Sequence, residues 1–298
     1  MDNPLVSVVT ATYNMAQFID EAIYSVLNQT YENVQHIIID DGSIDHTRNI
    51  VKKYLGDPRV EYYYQENKGQ TVAKNNGIKK AEGEYICFLD SDNIWELDKL
   101  NIQVDAFKRI NPKFKIIYTE QLYIDGKGNK LPTPEIKRYE GRISEQLLFE
   151  NFVTFNTVMV KKACFNELGL MDERLQRSID YELWLRFSTR YDFYYLPNMT
   201  TYYRHWEGQM SQDKEQRLRV ALQIMDDFIK KNPELLKQSI IDKAWCHSFI
   251  IRGRYKASKK EYHEAIKLFI KATRHDPFSL HLWKSIIKMT IPGKRNAI

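Results

Sequence analysis

Residues 5–13, LVSVVTATY, decide how the chain folds. They form an apolar, β-branched run of strand length, and the next stretch, AQFIDEAIYSVLNQ at residues 16–29, changes period. There Phe18, Ala22, Ile23, Val26 and Leu27 share one helical face. VQHIIID (34–40) is strand-like again. Outward from it, DHTRNIVKKYL reads as a helix with Asp45 as its N-cap, RVEYYYQ as a strand, QTVAKNNGIKKA as a helix and EYICFLD as a strand. This alternation predicts an α/β fold with a mainly parallel sheet and helices packed on its faces. In such sheets ligands sit beyond the carboxyl ends of the strands. TATYN, DDGS, QENKG and DSD fall at those ends, so the polar residues gather on one rim.

The 298 residues, 43% hydrophobic and 28% charged, describe an ordinary globular protein: one large domain, or a domain with an appendage. No stretch approaches the roughly 20 apolar residues of a membrane helix. The start, MDNPLVSVV, is unlike a signal peptide, so a cytoplasmic location is expected. Three widely spaced cysteines, Cys87, Cys164 and Cys246, support neither a disulfide framework nor a zinc cluster. The net charge of +5 hides an asymmetry: residues 214–298 carry +11 and residues 1–213 carry −6.

After residue 110 the alternation weakens. IIYTEQLYIDGKGNKL reads as a strand and a hairpin turning at Gly126 to Gly128, NTVMVKK as a strand, and DYELWLRFSTRY as an amphipathic helix with Asp180 in its first turn. From about Gln212 the pattern is helical only. We therefore expect an α/β domain over residues 1–212 and a smaller, basic, all-α domain over 213–298. In the latter, Gly253, Tyr262, Ala265, Phe269, Ala272 and Pro277 have the spacing of one tetratricopeptide unit.

EYICFLDSDNIW, residues 84–95, ends a buried strand with Asp90 and Asp92. Two carboxylates so close repel one another unless a cation compensates. Mg²⁺ and Mn²⁺ suit such a pair, because they bind through one or two carboxylates and take phosphate oxygens and water for the rest of the shell. Alone, the pair reads first as a polar strand end and a cap for a helix at WELDKL.

VSVVTATYN, IIIDDGSIDHT, ENKGQTVAKNNGI, FLDSDN and SIDYELWLR together resemble, in order and approximate spacing, the motifs of family 2 glycosyltransferases, inverting enzymes of the GT-A fold. The resemblance covers about residues 4–208. It implies that Thr12, Tyr13, Asn14 and Asp41 hold the nucleoside, with Tyr13 facing the base, and that Lys74 approaches the nucleotide where the family often has arginine. It implies Asp90 and Ser91 beside the nucleotide, and Asp92 with Asp90 on Mn²⁺ or Mg²⁺. The family's acid pair before an aromatic helix reads Ile179–Asp180 here, which makes Asp180 the catalytic base without its preceding glutamate. YYRHWEGQMS resembles a segment whose histidine lies one position later. Here Trp206 takes that place, and His205 is the residue expected to complete the metal shell or touch phosphate.

The expected reaction is inverting, metal-dependent transfer of one sugar per encounter from a nucleoside-diphosphate sugar, most readily a UDP-sugar, to a glycan or lipid-linked acceptor in cell-surface polysaccharide synthesis. QRLRV at 216–220 lacks the tryptophan of the element used by processive members. A sugar-nucleotide pyrophosphorylase would need a glycine-rich basic loop after the first strand, and a dehydrogenase would need G-x-G-x-x-G; TATYNMAQF is neither. A non-catalytic sugar-nucleotide-binding scaffold and, despite that loop, a sugar-nucleotide pyrophosphorylase remain the other readings. The basic helices suggest a peripheral surface for anionic lipid, with FSLHLWKSIIKM either lying in the interface or capping the helical domain. Nucleic acid is not expected, because the basic residues are spread over several helices with no binding motif.

Overall fold

The computed structural model describes residues 3–209 and 213–290. The chain divides into two compact units, Met1–Ile143 with Phe152–Met210, and Ser144–Asn151 with Ser211–Ile298. The boundary expected at residue 212 lies outside the described residues.

The first unit is built on a nine-stranded sheet. Its leading half follows the alternation of the sequence: β1 (Val6–Thr12), α1 (Ile19–Leu27), β2 (Val34–Asp40), α2 (Thr47–Val51), β3 (Val60–Tyr64), α3 (Gln70–Lys80) and β4 (Tyr85–Phe88). β1 lies between β2 and β4, and β3 lies outside β2, all parallel. β1, β2 and β4 are buried almost throughout, which is why they read as unbroken apolar runs. α3 comes so near the sheet that a Cβ on Gly77 would lie 2.3 Å from Val9 Cγ1, a space that only glycine fits. α2 is shorter than its periodicity suggests. It begins at Thr47, and Asp45 accepts from the Thr47 N–H at 2.9 Å from just before the helix.

Beyond β4 the sheet turns mixed. The elements are β5 (Ile94–Trp95), α4 (Lys99–Arg109), β6 (Phe114–Asp125), β7 (Lys130–Leu131), α5 (Ser144–Leu147), β8 (Val158–Lys161), α6 (Ala163–Leu168), α7 (Ile179–Ser188) and β9 (Asp192–His205). The strand order is β3-β2-β1-β4-β8-β6-β9-β5, with β7 on β6. β8 is antiparallel to β4 and β6, whereas β9 runs parallel to β6 with register shifts.

The second unit joins α5 to four helices, α8 (Lys214–Lys231), α9 (Gln238–Ser258), α10 (Tyr262–His275) and α11 (Leu280–Thr290). Within it Phe149 packs edge-on against His247 at 5.8 Å. Gly253 and Phe269, two of the residues with tetratricopeptide spacing, meet where α9 crosses α10: a Cβ on Gly253 would lie 2.7 Å from Phe269 Cε1. Among the described residues no helix is long and apolar enough to cross a membrane.

Candidate active site

The carboxyl ends of β1, β2, β3 and β4 are stitched into one rim. The Asp41 N–H donates to the Thr12 carbonyl at 2.8 Å, Gln65 N–H to Asp40 at 2.9 Å and Leu89 N–H to Val9 at 3.1 Å. Thr12 is buried and its hydroxyl has no hydrogen-bond partner among the described residues. Tyr13 turns outward, 43% exposed. Asn14 adopts φ +53° and ties the loop after β1 to the loop after β2: its amide oxygen accepts from Ile44 N–H at 2.9 Å, and its N–H donates to Ser43 Oγ at 2.9 Å.

Asp41 is buried and its carboxylate is already engaged. It accepts from Gln65 Nε2 at 2.7 Å and from the N–H groups of Lys68 and Gly69 at 2.9 and 2.8 Å. The structure thus gives Asp41 a task that the sequence did not announce: it fixes the loop that leads into α3.

α3 carries the rest of the site. Lys74 is buried and its ammonium lies 2.7 Å from Asp90 Oδ1 and 5.4 Å from the centre of the Phe155 ring. Asn156 grips Asp90 twice, accepting from its N–H at 2.7 Å and donating to Oδ2 at 2.9 Å. Burial opposes the charge on Asp90, but Lys74 and Asn156 outweigh it and hold the carboxyl below its usual range. Asp92 is the opposite case. Burial and the nearby Asp90 charge push its carboxyl up to about 6, against a hydrogen bond from Trp206. Ser91 is buried in the turn between them, which closes with Asn93 N–H on the Asp90 carbonyl at 3.0 Å.

The same α3 gathers the segment before α7. Gln70 Nε2 donates to the Gln176 carbonyl at 3.0 Å, Thr71 Oγ1 to Leu175 at 2.5 Å, and Asn75 Nδ2 to Met171 at 2.9 Å. A Cβ on Gly69 would meet the Gln176 side chain at 2.4 Å. Four residues beyond Gln176, Asp180 stands half-buried in the first turn of α7, its Oδ1 accepting from the Tyr181 N–H at 2.9 Å. α7 is anchored by Trp184 against Phe155 at 5.5 Å, next to the Asn156 that grips Asp90. One helix and one aromatic contact therefore connect Asp41, Asp90 and the turn that bears Asp180.

His205 is placed elsewhere. Successive side chains of a strand point to opposite faces, and β9 sends Arg204 into the interior while His205 is exposed and stacks on Tyr123, centroids 4.9 Å apart. Trp206 reaches the acid pair instead, donating from Nε1 to Asp92 Oδ2 at 2.9 Å. Asn156, Arg204, Trp206 and Gln209 are the site residues that sequence reasoning missed. Asn156 carried no signal, whereas Arg204, Trp206 and Gln209 lie in YYRHWEGQMS, with Trp206 standing where the family segment usually has histidine.

Among the described residues no three His, Cys, Asp or Glu side chains group as a metal site. Two adjacent carboxylates fit an ion that takes the rest of its shell from phosphate and water, as Mg²⁺ and Mn²⁺ do, better than one that needs a closed protein cage.

The sequence profile of Glycosyl transferase family 2 matches residues 7–168. An uncharacterized glycosyltransferase of Rickettsia typhi is 32% identical over 253 residues, covering 83% of this chain and 78% of that protein. Among solved structures, S. aureus TarS 1-349 in complex with UDP-GlcNAc is similar with a TM-score of 0.71 at 18% identity, over 96% of this chain and 88% of that one. The mannosyltransferase PcManGT of Pyrobaculum calidifontis, in complex with GDP-Man and Mn²⁺, is similar with a TM-score of 0.57 at 15% identity, over 96% and 87%. The fold is the α/β GT-A type followed by an all-α region, and the chain belongs to glycosyl transferase family 2.

Proposed function

We propose that the first unit transfers a single sugar, with inversion, from a nucleoside-diphosphate sugar to a hydroxyl of a glycan or lipid-linked acceptor, in the assembly of a cell-surface polysaccharide. The observation that carries this reading is the acid pair Asp90 and Asp92 at the end of β4, of which Asp90 is held by the same helix that holds the segment leading to Asp180. A UDP-sugar is the favoured donor, on the likeness to TarS in complex with UDP-GlcNAc. Mn²⁺ or Mg²⁺ is the favoured cofactor, on the chemistry of the acid pair and the likeness to a structure holding Mn²⁺.

In this reading Tyr13 offers its exposed ring to the base. Asp41 shapes the base pocket by fixing residues 65–69, and one of its remaining lone pairs accepts a base N–H. Thr12, whose buried hydroxyl is unpaired, and Asn14 line the same end of β1. Asp92 and Asp90 would hold the divalent ion, with Ser91 in the turn between them; the ion, when bound, offsets the charge of the departing diphosphate. Lys74 keeps Asp90 ionised and places positive charge beside the phosphates. Asp180 takes the proton of the acceptor hydroxyl as that oxygen attacks the anomeric carbon from the face opposite the leaving group. His205, exposed and stacked on Tyr123, is not assigned to the metal shell in this reading.

Lys284 and Lys288 stand beside Leu280, Trp283 and Ile287, which are exposed along α11, and the whole region is basic. This supports peripheral contact with an anionic lipid surface at the inner face of the membrane. Vesicles with and without phosphatidylserine measure it: salt-sensitive sedimentation only with the anionic vesicles is expected.

UDP release from a panel of UDP-sugars, with Asp180→Asn as control, tests the main reading. Release that requires Mn²⁺ or Mg²⁺ and disappears in the variant is expected. Metal-dependent binding of a sugar nucleotide with no turnover toward any acceptor would favour the non-catalytic scaffold.

A further inference from the structure

Asp92 is held from a distant part of the chain. Arg204 Nε donates to the Asp92 carbonyl at 2.9 Å, Trp206 Nε1 donates to Oδ2 at 2.9 Å, and Gln209 Nε2 approaches the same oxygen at 3.4 Å. These residues are themselves fixed. The Arg204 N–H donates to Asn93 Oδ1 at 2.7 Å, its guanidinium lies 2.7 Å from Glu21, and Gln209 Nε2 also donates to the Arg204 carbonyl at 2.8 Å. The indole of Trp206 packs edge-on against Phe18 at 5.2 Å. Gly208, at φ +94°, passes so near that a Cβ would lie 3.0 Å from Cζ3 of that ring. Packing as well as hydrogen bonding therefore sets the indole's direction.

An indole nitrogen carries a hydrogen and no available lone pair. Trp206 cannot be a metal ligand; toward Asp92 it can act only as a hydrogen-bond donor. It and Gln209 both address Oδ2, and the backbone of Asp92 itself also hydrogen-bonds the carboxylate; Oδ1, which neither side chain addresses, is the oxygen assigned to a cation. We propose that Trp206, assisted by Gln209, is the positioning residue of the acid pair: it fixes which carboxylate oxygen of Asp92 faces the divalent ion and orients that carboxylate before the ion arrives. This rests on the metal reading given above. Groups that hydrogen-bond a ligand in this way typically alter metal affinity 10–100-fold.

The test titrates Mn²⁺ into the full-length protein with UDP present, following free Mn²⁺ by electron paramagnetic resonance. Trp206→Phe, which removes the N–H and keeps an aromatic ring, should weaken Mn²⁺ binding by about tenfold or more with an unchanged melting temperature. In protein labelled with ¹⁵N at the indoles, the resonance that Trp206→Phe removes should shift when Mg²⁺ is added. Should Trp206→Phe fail to fold, Gln209→Leu removes the second donor to the same oxygen and should weaken Mn²⁺ binding severalfold. Wild-type Mn²⁺ affinity in the folded variant, or an indole resonance indifferent to Mg²⁺, overturns the positioning role alone. Failure of the unaltered protein to bind Mn²⁺ overturns the metal reading and the positioning role together.

Discussion

Two acidic pairs end the two strands that flank β1, and the chain treats them in opposite ways. After β2, Asp40 accepts from Tyr62 OH at 2.6 Å and Ser43 N–H at 2.8 Å, and Asp41 accepts from Gln65 and two backbone N–H groups. Every one of these partners is neutral, and three of the five are backbone N–H groups, one in the turn after β2 and two in the loop that leads into α3. After β4, Asp90 is matched by a lysine and an amide, while Asp92 stays buried beside a second negative charge. Residue type and topological position are shared; the partners differ. In the proposed reading a carboxylate filled by backbone N–H groups serves as scaffold, whereas one left beside a second negative charge is the one offered to a cation.

That contrast predicts how each residue fails. In the proposed reading Asp180 belongs with the chemical group, so Asp180→Asn should lower kcat by about a thousandfold with no change in melting temperature, measured as UDP release against an acceptor. A variant that loses stability in step with activity would move Asp180 to the scaffold. Asp41→Ala strands three donors, and at about 1 kcal/mol each it should lose about 3 kcal/mol in urea unfolding. A wild-type urea midpoint with UDP affinity abolished would make Asp41 chiefly a ligand group and erase the contrast.

His36, on β2 below Asp40, gives the scaffold side a pH signature. Burial, then the charge of Arg59, pushes its imidazole down to about 3. The unfolded chain takes up the proton below its ordinary value of about 6.5 while the folded state does not. Stability is therefore unaffected by this group above that value and falls as pH falls toward 3, by about 2 kcal/mol between pH 7 and pH 5. Urea midpoints at the two pH values should show this, and His36→Gln should flatten the slope; an equal slope in the variant would assign the loss to carboxylates instead. The smallest effect is expected at Tyr13, whose ring is exposed. Tyr13→Ala should weaken UDP binding by about 1 kcal/mol, roughly fivefold, with no effect on unfolding.

The leading half of the sheet was legible because β1, β2 and β4 are buried on both faces and announce themselves as apolar runs. β5 and β7, two residues each, carry no period to read. β9 is broken in sequence by Pro197 and Asn198, and its pairing with β6 shifts register there, so only its last residues stood out as a motif. At the site, the acids and Lys74 were legible from chemistry and resemblance. Asn156 was not, since its grip on Asp90 spans 66 residues and nothing local marks an asparagine in a short 3₁₀ turn. His205 closes β9 on the face opposite Arg204, where it stacks on Tyr123, because adjacent strand residues turn to opposite faces, an orientation that a one-residue shift in a motif cannot reveal.

The most direct test of the poised pair is a calorimetric titration of UDP into the full chain with Mn²⁺, with a chelator in place of Mn²⁺, and with Asp92→Asn in the presence of Mn²⁺. The account predicts binding in the first case, loss of binding in the other two, and an unchanged melting temperature for the variant. UDP that binds equally well in all three would contradict it.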